Sequence, residues 1–304
     1  MNSPDFTRAS RRVERRDVHG VLLLDKPAGI TSNTALQIAK RVLRANKAGH
    51  TGTLDPMASG LLPLCFGEAT KFAQDLLDAD KAYEAALRLG VTTTTGDQEG
   101  EVTQTRPITH SAADLEAVLQ RFAGEIMQVP PMHSALKKDG KALYTYARAG
   151  VEVERTPRKV MIYALKLLQD AGETIRIHTH VSKGTYIRTL AEDIGNALGC
   201  GAHLVALRRT AIHGFGVHEA VALSGFEQNA QPERLLLPVD TLAQDLDKLE
   251  LERALAQRLK QGQRLAWPGD QNALVRLYEG AQFIGIGRIE PGRLSPHRIL
   301  NLPR

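Results

Sequence analysis

Residues 49–60 read Gly49-His50-Thr51-Gly52-Thr53-Leu54-Asp55-Pro56-Met57-Ala58-Ser59-Gly60. Three glycines in this stretch permit positive φ and a close approach of backbone to a ligand. Pro56 disfavours the α region for Asp55, so its carboxylate sits on a restricted backbone. A carboxylate fixed on a loop serves as nucleophile or base. The competing reading is that Asp-Pro merely opens a turn. No Gly-Lys-Ser/Thr follows, which excludes a phosphate-binding P-loop.

Before this loop, Val21-Leu22-Leu23-Leu24, bounded by Gly20 and Pro27, reads as a buried strand. Ala35, Ile38, Ala39, Val42 and Leu43 recur at helical spacing behind an N-cap at Ser32 or Asn33. After it, strand-like runs fall at 83–89, 160–168, 174–181 and 205–212, and helical patterns at 113–122, 143–149 and 185–198. Strands and helices do not alternate regularly, so a doubly wound parallel sheet is disfavoured and a mixed α+β sheet fits. The character changes near Pro238. A helix is predicted over 249–259, then short strands at 273–278, 283–289 and 294–300, with Glu279-Gly280 and Pro291-Gly292 as turn punctuation. The chain therefore divides into a flexible basic arm (1–18), a main body (19–246) and a small β-rich domain (247–304).

A length of 304 residues suggests about two domains. With 42% hydrophobic and 24% charged residues, wholesale disorder is excluded. No apolar run approaches the roughly 18 residues of a membrane span. The Arg-rich start lacks the apolar core of a secretory signal. Cys65 and Cys200 are too few for a disulfide scaffold and suit a reducing, cytoplasmic setting. The net charge of +5 is uneven, because acids dominate 219–254 and leave the flanking regions strongly basic. Two basic bodies suggest a polyanion partner, unless the charge is simply solvated surface. His178 and His180 alternate on one strand face without zinc-like partners, so no metal is expected.

The segment Gly49 to Pro56 resembles the catalytic motif of the TruB family of tRNA pseudouridine synthases. Three further stretches agree in order: Leu24-Asp25-Lys26-Pro27, Lys81-Ala82-Tyr83, and Ser182-Lys183-Gly184-Thr185-Tyr186-Ile187-Arg188-Thr189. Gly201-Ala202-His203-Leu204 and Leu207-Arg208-Arg209 follow, so the resemblance covers about 20–215. It implies an α+β, mostly antiparallel pseudouridine synthase domain and, more loosely, a small PUA-like RNA-binding domain at 247–304. The implied reaction is isomerisation of uridine 55 in the tRNA T-loop to pseudouridine, without metal, nucleotide or redox cofactor. The glycosidic bond moves from N1 to C5 of uracil. Asp55 is the implied catalytic residue, acting at uracil C6, at ribose C1′ or on the 2′ proton.

The target base sits inside a folded loop and must be flipped out. By the same resemblance Tyr83 stacks on the flipped uracil, Arg188 pairs with Asp55 and keeps it ionised, and His50 fills or supports the vacated space. Each has an ordinary alternative: a core tyrosine, a surface arginine, a local hydrogen-bonding histidine. Lys137, Lys138, Lys141 and Arg148, interleaved with Tyr144, suit a single-stranded RNA loop. They fall in an insertion, about 130–155, that resembles the family's clamp on the T-arm; a solvated charged helix is the plainer reading. Lys26, Lys71, Lys183, Arg208 and Arg209 are further candidates for RNA phosphates. The implied partner is the tRNA T-arm, with no obligatory protein partner. The rival hypothesis is a non-catalytic tRNA-binding or tRNA-folding protein.

Overall fold

The computed structural model describes residues 14–301. Residues 1–13, most of the predicted basic arm, lie outside the described residues. The end of that arm is not free. Arg16 N donates to Arg44 O (2.9 Å), and its carbonyl accepts from Asn46 N (3.0 Å).

The main body is built on a ten-stranded mixed sheet. Its order is Val221–Ala222, Gly20–Lys26, Ser59–Phe66, Ala202–Ile212, Lys81–Leu89, Thr174–Val181, Arg158–Asp170 and Gly124–Gln128. Two short strands attach at the side: Ala48–His50 on Ser59–Phe66, and Phe215–Gly216 on Ala202–Ile212. Most pairs are antiparallel; Gly20–Lys26 with Val221–Ala222, and Ser59–Phe66 with Ala202–Ile212, are parallel. The predicted run at 21–24 is buried because both faces of its strand are covered.

Ser59–Phe66 lies centrally although Pro63 removes a ladder donor. The reason is positional. On one side Ser59 and Gly60 pair with Arg208 and Arg209, and Leu64 to Phe66 pair with Ala48 to His50, so Pro63 falls in the gap between two partners.

The helix Ser32–Val42 is capped by Thr31, whose Oγ1 accepts from Thr34 N at 3.0 Å. Of the two predicted caps, Asn33 lies inside the helix, and Ser32 is buried and exchanges two hydrogen bonds with Leu54. Helices Ala112–Arg121 and Ile187–Ala197 follow the predicted periodicity. Across the second sheet the order is Asp247–Leu251, Ala273–Glu279, Gln282–Glu290, Arg293–Ile299 and Leu265–Ala266. Here the predicted helix over 249–259 is corrected: Asp247–Leu251 is a strand parallel to Ala273–Glu279, and the helix begins at Arg253. Leu249 and Leu251 belong to a period of two, whereas Ala256 and Leu259 belong to the helix, and one run of leucines hid the boundary.

The two sheets share apolar packing. Tyr278, Phe283, Ile286 and Leu300 join Val21, Leu61, Phe72 and Leu242 in one cluster. Among the described residues no helix is long and apolar enough to cross a membrane.

Candidate active site

Asp55 is placed by its neighbours on both sides. Ser32 Oγ donates to Leu54 O (2.9 Å) and accepts from Leu54 N (2.8 Å), fixing the loop to the start of a helix. Gly29 N reaches Pro56 O at 2.7 Å, and Ala58 N closes a turn onto Asp55 O at 3.0 Å. The loop then enters its strand at Gly60 (φ +103), where a Cβ would lie 2.3 Å from Arg209 O. No other residue fits there.

Arg188 sits in the first turn of Ile187–Ala197. Gln128, buried at the end of the edge strand, receives Tyr186 N (2.8 Å) and donates to Tyr186 O (3.1 Å), orienting that turn. The guanidinium is buried and fully engaged. Its Nε lies 3.2 Å from Asp55 Oδ2 and its Nη1 3.4 Å from Asp97 Oδ2. Nη1 also donates to Thr95 O (3.3 Å) and Nη2 to His133 O (2.7 Å). Asp97 is itself buried and accepts from Thr95 Oγ1 (2.6 Å) and Glu99 N (3.1 Å). One cation thus joins two carboxylates, and only Asp55 keeps a substantial exposed surface, 39% against 4% for Asp97.

These groups line a cleft of about 500 Å³ with Tyr83, Tyr186, Tyr144 and Arg148. Tyr83, on Lys81–Leu89, is buried but borders the cleft. Burial raises the Tyr186 phenol above its ordinary range. Glu99, at the rim, also titrates above its ordinary range, through burial and then the nearby carboxylates of Asp97 and Asp55. The insertion contributes His133, Ser134, Ala135, Tyr144 and Arg148 to the lining. Lys137–Lys138 and Lys141–Ala142 form a small hairpin, and Leu143–Arg148 a short helix whose Arg148 lies 5.4 Å over the Tyr144 ring.

The sequence candidates are not all gathered here. Asp55, Tyr83, Tyr144, Arg148 and Arg188 converge on the cleft. His50 stands behind the loop on Ala48–His50 and does not line the cleft; burial, and then Arg209, push its pKa down, favouring the neutral ring. Lys26 and Arg209 are corrected as phosphate contacts, since both are fully buried. The Lys26 ammonium donates to Pro27 O (2.8 Å) and Ile30 O (2.7 Å), while Arg209 holds Leu61 O (2.7 Å) and Gly52 O (3.2 Å). Lys71 and Arg208 are likewise committed elsewhere. Lys71 bonds Glu68 (2.6 Å) and Ile299 O (2.8 Å), joining the two sheets, and Arg208 grips Asp25 bidentately at 3.0 and 2.7 Å.

Lys183 is exposed and pairs with Asp78 at 3.1 Å. In the insertion Lys137 and Lys141 are exposed, while Lys138 donates to Glu154 O at 2.9 Å. His178 and His180 lie on the sheet face opposite Tyr83, the register placing Thr179 beside Tyr83. Sequence reading missed Asp97 and Gln128, and gave Ser32 a helix-capping role in place of its bonds to Leu54. Thr-x-Asp in a turn-rich stretch reads as ordinary loop chemistry, and no local pattern announces a buried counter-ion.

The chain matches, over residues 40–187, the N-terminal domain described as TruB family pseudouridylate synthase. Residues 188–244 match a tRNA pseudouridylate synthase B C-terminal domain, and 248–300 a pseudouridine synthase II TruB C-terminal segment. It is 56% identical over 292 residues to tRNA pseudouridine synthase B of Azoarcus sp. (strain BH72), covering 95% of this chain and 97% of that one. The tRNA pseudouridine synthase B of Cupriavidus metallidurans is also 56% identical, over 96% and 97% of the two chains. Among solved structures, a chain of a Cbf5-Nop10-Gar1 complex superposes with a TM-score of 0.69 at 28% identity, covering 90% of this chain and 79% of that one. A chain of an H/ACA RNP bound to a substrate RNA containing 2'-deoxyuridine gives 0.71 at 25% identity, covering 94% and 86%. Fold, cleft and likeness together define an RNA-modifying isomerase of the pseudouridine synthase class. Within that class, the chain belongs to the TruB family.

Proposed function

We propose that this protein converts uridine 55 in the T-loop of tRNA to pseudouridine, with Asp55 as the reacting carboxylate. The observation that carries the reading is the asymmetry of the Asp55–Arg188–Asp97 group: one carboxylate is buried as counter-ion, the other is open to the cleft. A protein that only bound RNA would gain nothing from an anion facing phosphates, which it repels. The tRNA named for the relatives supports the substrate class, and the resemblance of the quoted motifs supports the position. A tRNA substrate in turn sets the site of action in the cytoplasm.

The uridine is flipped into the cleft and stacks on Tyr83, an interaction contributing about 1–3 kcal/mol. The N1–C1′ bond breaks, the uracil turns within the cleft, and a C5–C1′ bond forms. The C5 proton is lost and N1 ends protonated, so the product is an isomer and no electrons are exchanged with a second reactant. Asp55 enters at uracil C6, at ribose C1′ or at the 2′ proton. All three roles need an anionic oxygen held still, which the loop bonds and Arg188 provide. Tyr144 and Arg148 close the insertion over the RNA loop, and residues 247–304 add RNA contacts outside the cleft.

The test is pseudouridine formation at position 55 by purified protein on unmodified tRNA. The variant Asp55→Asn is expected to abolish turnover while tRNA binding stays within about tenfold, roughly 1.4 kcal/mol. Appreciable turnover by this variant overturns the assignment.

A further inference from the structure

One cluster of cations is left unused by this chemistry. Arg15, Lys40, Arg41 and Arg44 line an open cleft of about 830 Å³, with Gln37, Asn46 and a single acid, Glu14. Among the described residues none of these four cations has a carboxylate partner, in contrast to Arg16, which pairs with Glu233. The C-terminal end of Ser32–Val42 explains two of them, since Lys40 and Arg41 lie in its last turn, where cations are favoured. Arg15 and Arg44 lie outside the helix, and Arg8, Arg11 and Arg12 precede them in the chain. Four like charges gathered around a single acid that none of them pairs with repel one another, so a polyanion that bridges them is the complementary partner.

The position of the patch says which part of an RNA reaches it. The helix starts beside Leu54 and its 11 residues carry it about 16 Å away from the catalytic loop. The insertion springs from the edge strand Gly124–Gln128, whereas this helix contacts Leu223–Glu227, which follows the opposite edge strand Val221–Ala222, and Ala48–His50, which is attached to Ser59–Phe66 two places in from that edge. Six strand spacings separate Gly124–Gln128 from Gly20–Lys26, about 29 Å. Clamp and patch therefore flank the cleft.

We propose that the Arg15–Lys40–Arg41–Arg44 cleft is a second RNA-backbone site that takes sugar-phosphate of the tRNA body outside the T-arm. The proposal rests on the tRNA reading above. Guanidinium groups suit it because their planar fork meets phosphate oxygens two at a time.

The test compares full-length unmodified tRNA with an isolated T-arm hairpin. The triple variant Arg15→Gln, Arg41→Gln, Arg44→Asn removes three charges, and Asn tolerates the left-handed backbone of Arg44 (φ 52). Far-UV circular dichroism and the melting temperature check that it folds as wild type. The expected result is an affinity for full-length tRNA about tenfold weaker or more at low salt. The salt dependence flattens by roughly 0.7–0.9 per lost phosphate contact. Hairpin affinity and the single-turnover rate on bound hairpin stay at the wild-type level. Equal losses on both RNAs, or no loss on either, overturn the proposal. Wild-type protein that fails to modify either RNA at position 55 overturns the functional reading instead, so the two failures are told apart.

Discussion

Lys26 shows what a motif residue can be at the scale of one side chain. It is fully buried, its ammonium is met by two carbonyls, and burial pushes its pKa down to about 8 from 10.5, with Asp55 opposing the shift. Below about pH 8 it is charged in folded and unfolded chains alike, and the fold carries the desolvation cost in full. Between about 8 and 10.5 the folded lysine gives up its proton while the unfolded one keeps it, so stability rises with pH. Lys26→Met is expected to lose that rise, a difference on the order of a few kcal/mol by the upper end. Urea unfolding of both proteins across this range checks it, and parallel curves would refute it. Lys81, also pushed down to about 8 by burial, leaves part of the rise in the variant. At this scale Asp55 was legible, because Asp-Pro among glycines restricts the backbone wherever it occurs. The burial of Lys26 and Arg209 was not, because a basic side chain looks the same in sequence whether it meets phosphate or a carbonyl. Nor was Asp97, whose partner lies ninety-one positions away.

Elements were legible where one face meets solvent and the other meets the core. Thr174–Val181 and Ile187–Ala197 alternate or repeat cleanly for that reason. Ser59–Phe66 was not read as a strand, because Pro63 argues against a central position and the glycines up to Gly60 read as loop. The helix Leu143–Arg148 has only six residues, too few to stand alone. It is held by Tyr144 N to Ser134 O (3.1 Å) and by Tyr146 Oη to Lys138 O (3.2 Å). Its Tyr144 is exposed at 43%, although it borders the cleft. Tyr144→Ala is therefore expected to weaken RNA binding by about 1–3 kcal/mol through lost stacking. Folding stability should stay within about 0.5 kcal/mol, as for most surface changes. A raised KM with an unchanged melting temperature is the outcome to look for. A fall in kcat at unchanged KM would place Tyr144 in the chemistry instead.

Over the whole molecule, the second sheet is joined to the first by shared packing as well as by chain. Phe283 meets Phe72 at 5.9 Å and Tyr278 at 5.4 Å, Tyr278 donates to Asp240 (2.7 Å), and Arg298 pairs with Asp75 (2.7 Å). The change of character near Pro238 marked the boundary but not this joint, because an apolar residue facing a neighbouring sheet reads like one facing its own. Phe283→Ala is expected to cost about 3–5 kcal/mol and to lower one cooperative melting transition for the entire protein. Calorimetry showing a separate, lowered transition beside an unmoved one would mean that the sheets fold independently. The guanidinium of Arg188, which holds Asp55, Thr95, Asp97 and His133 together, has a consequence in time. All four precede it in the sequence, so a ribosome delivers the Asp55 carboxylate well before the group that steadies it. At 5–20 residues per second the interval from Asp55 to Arg188 is roughly 7–27 seconds. From residue 55 to residue 188 of its synthesis, the growing polypeptide carries that carboxylate without its cation.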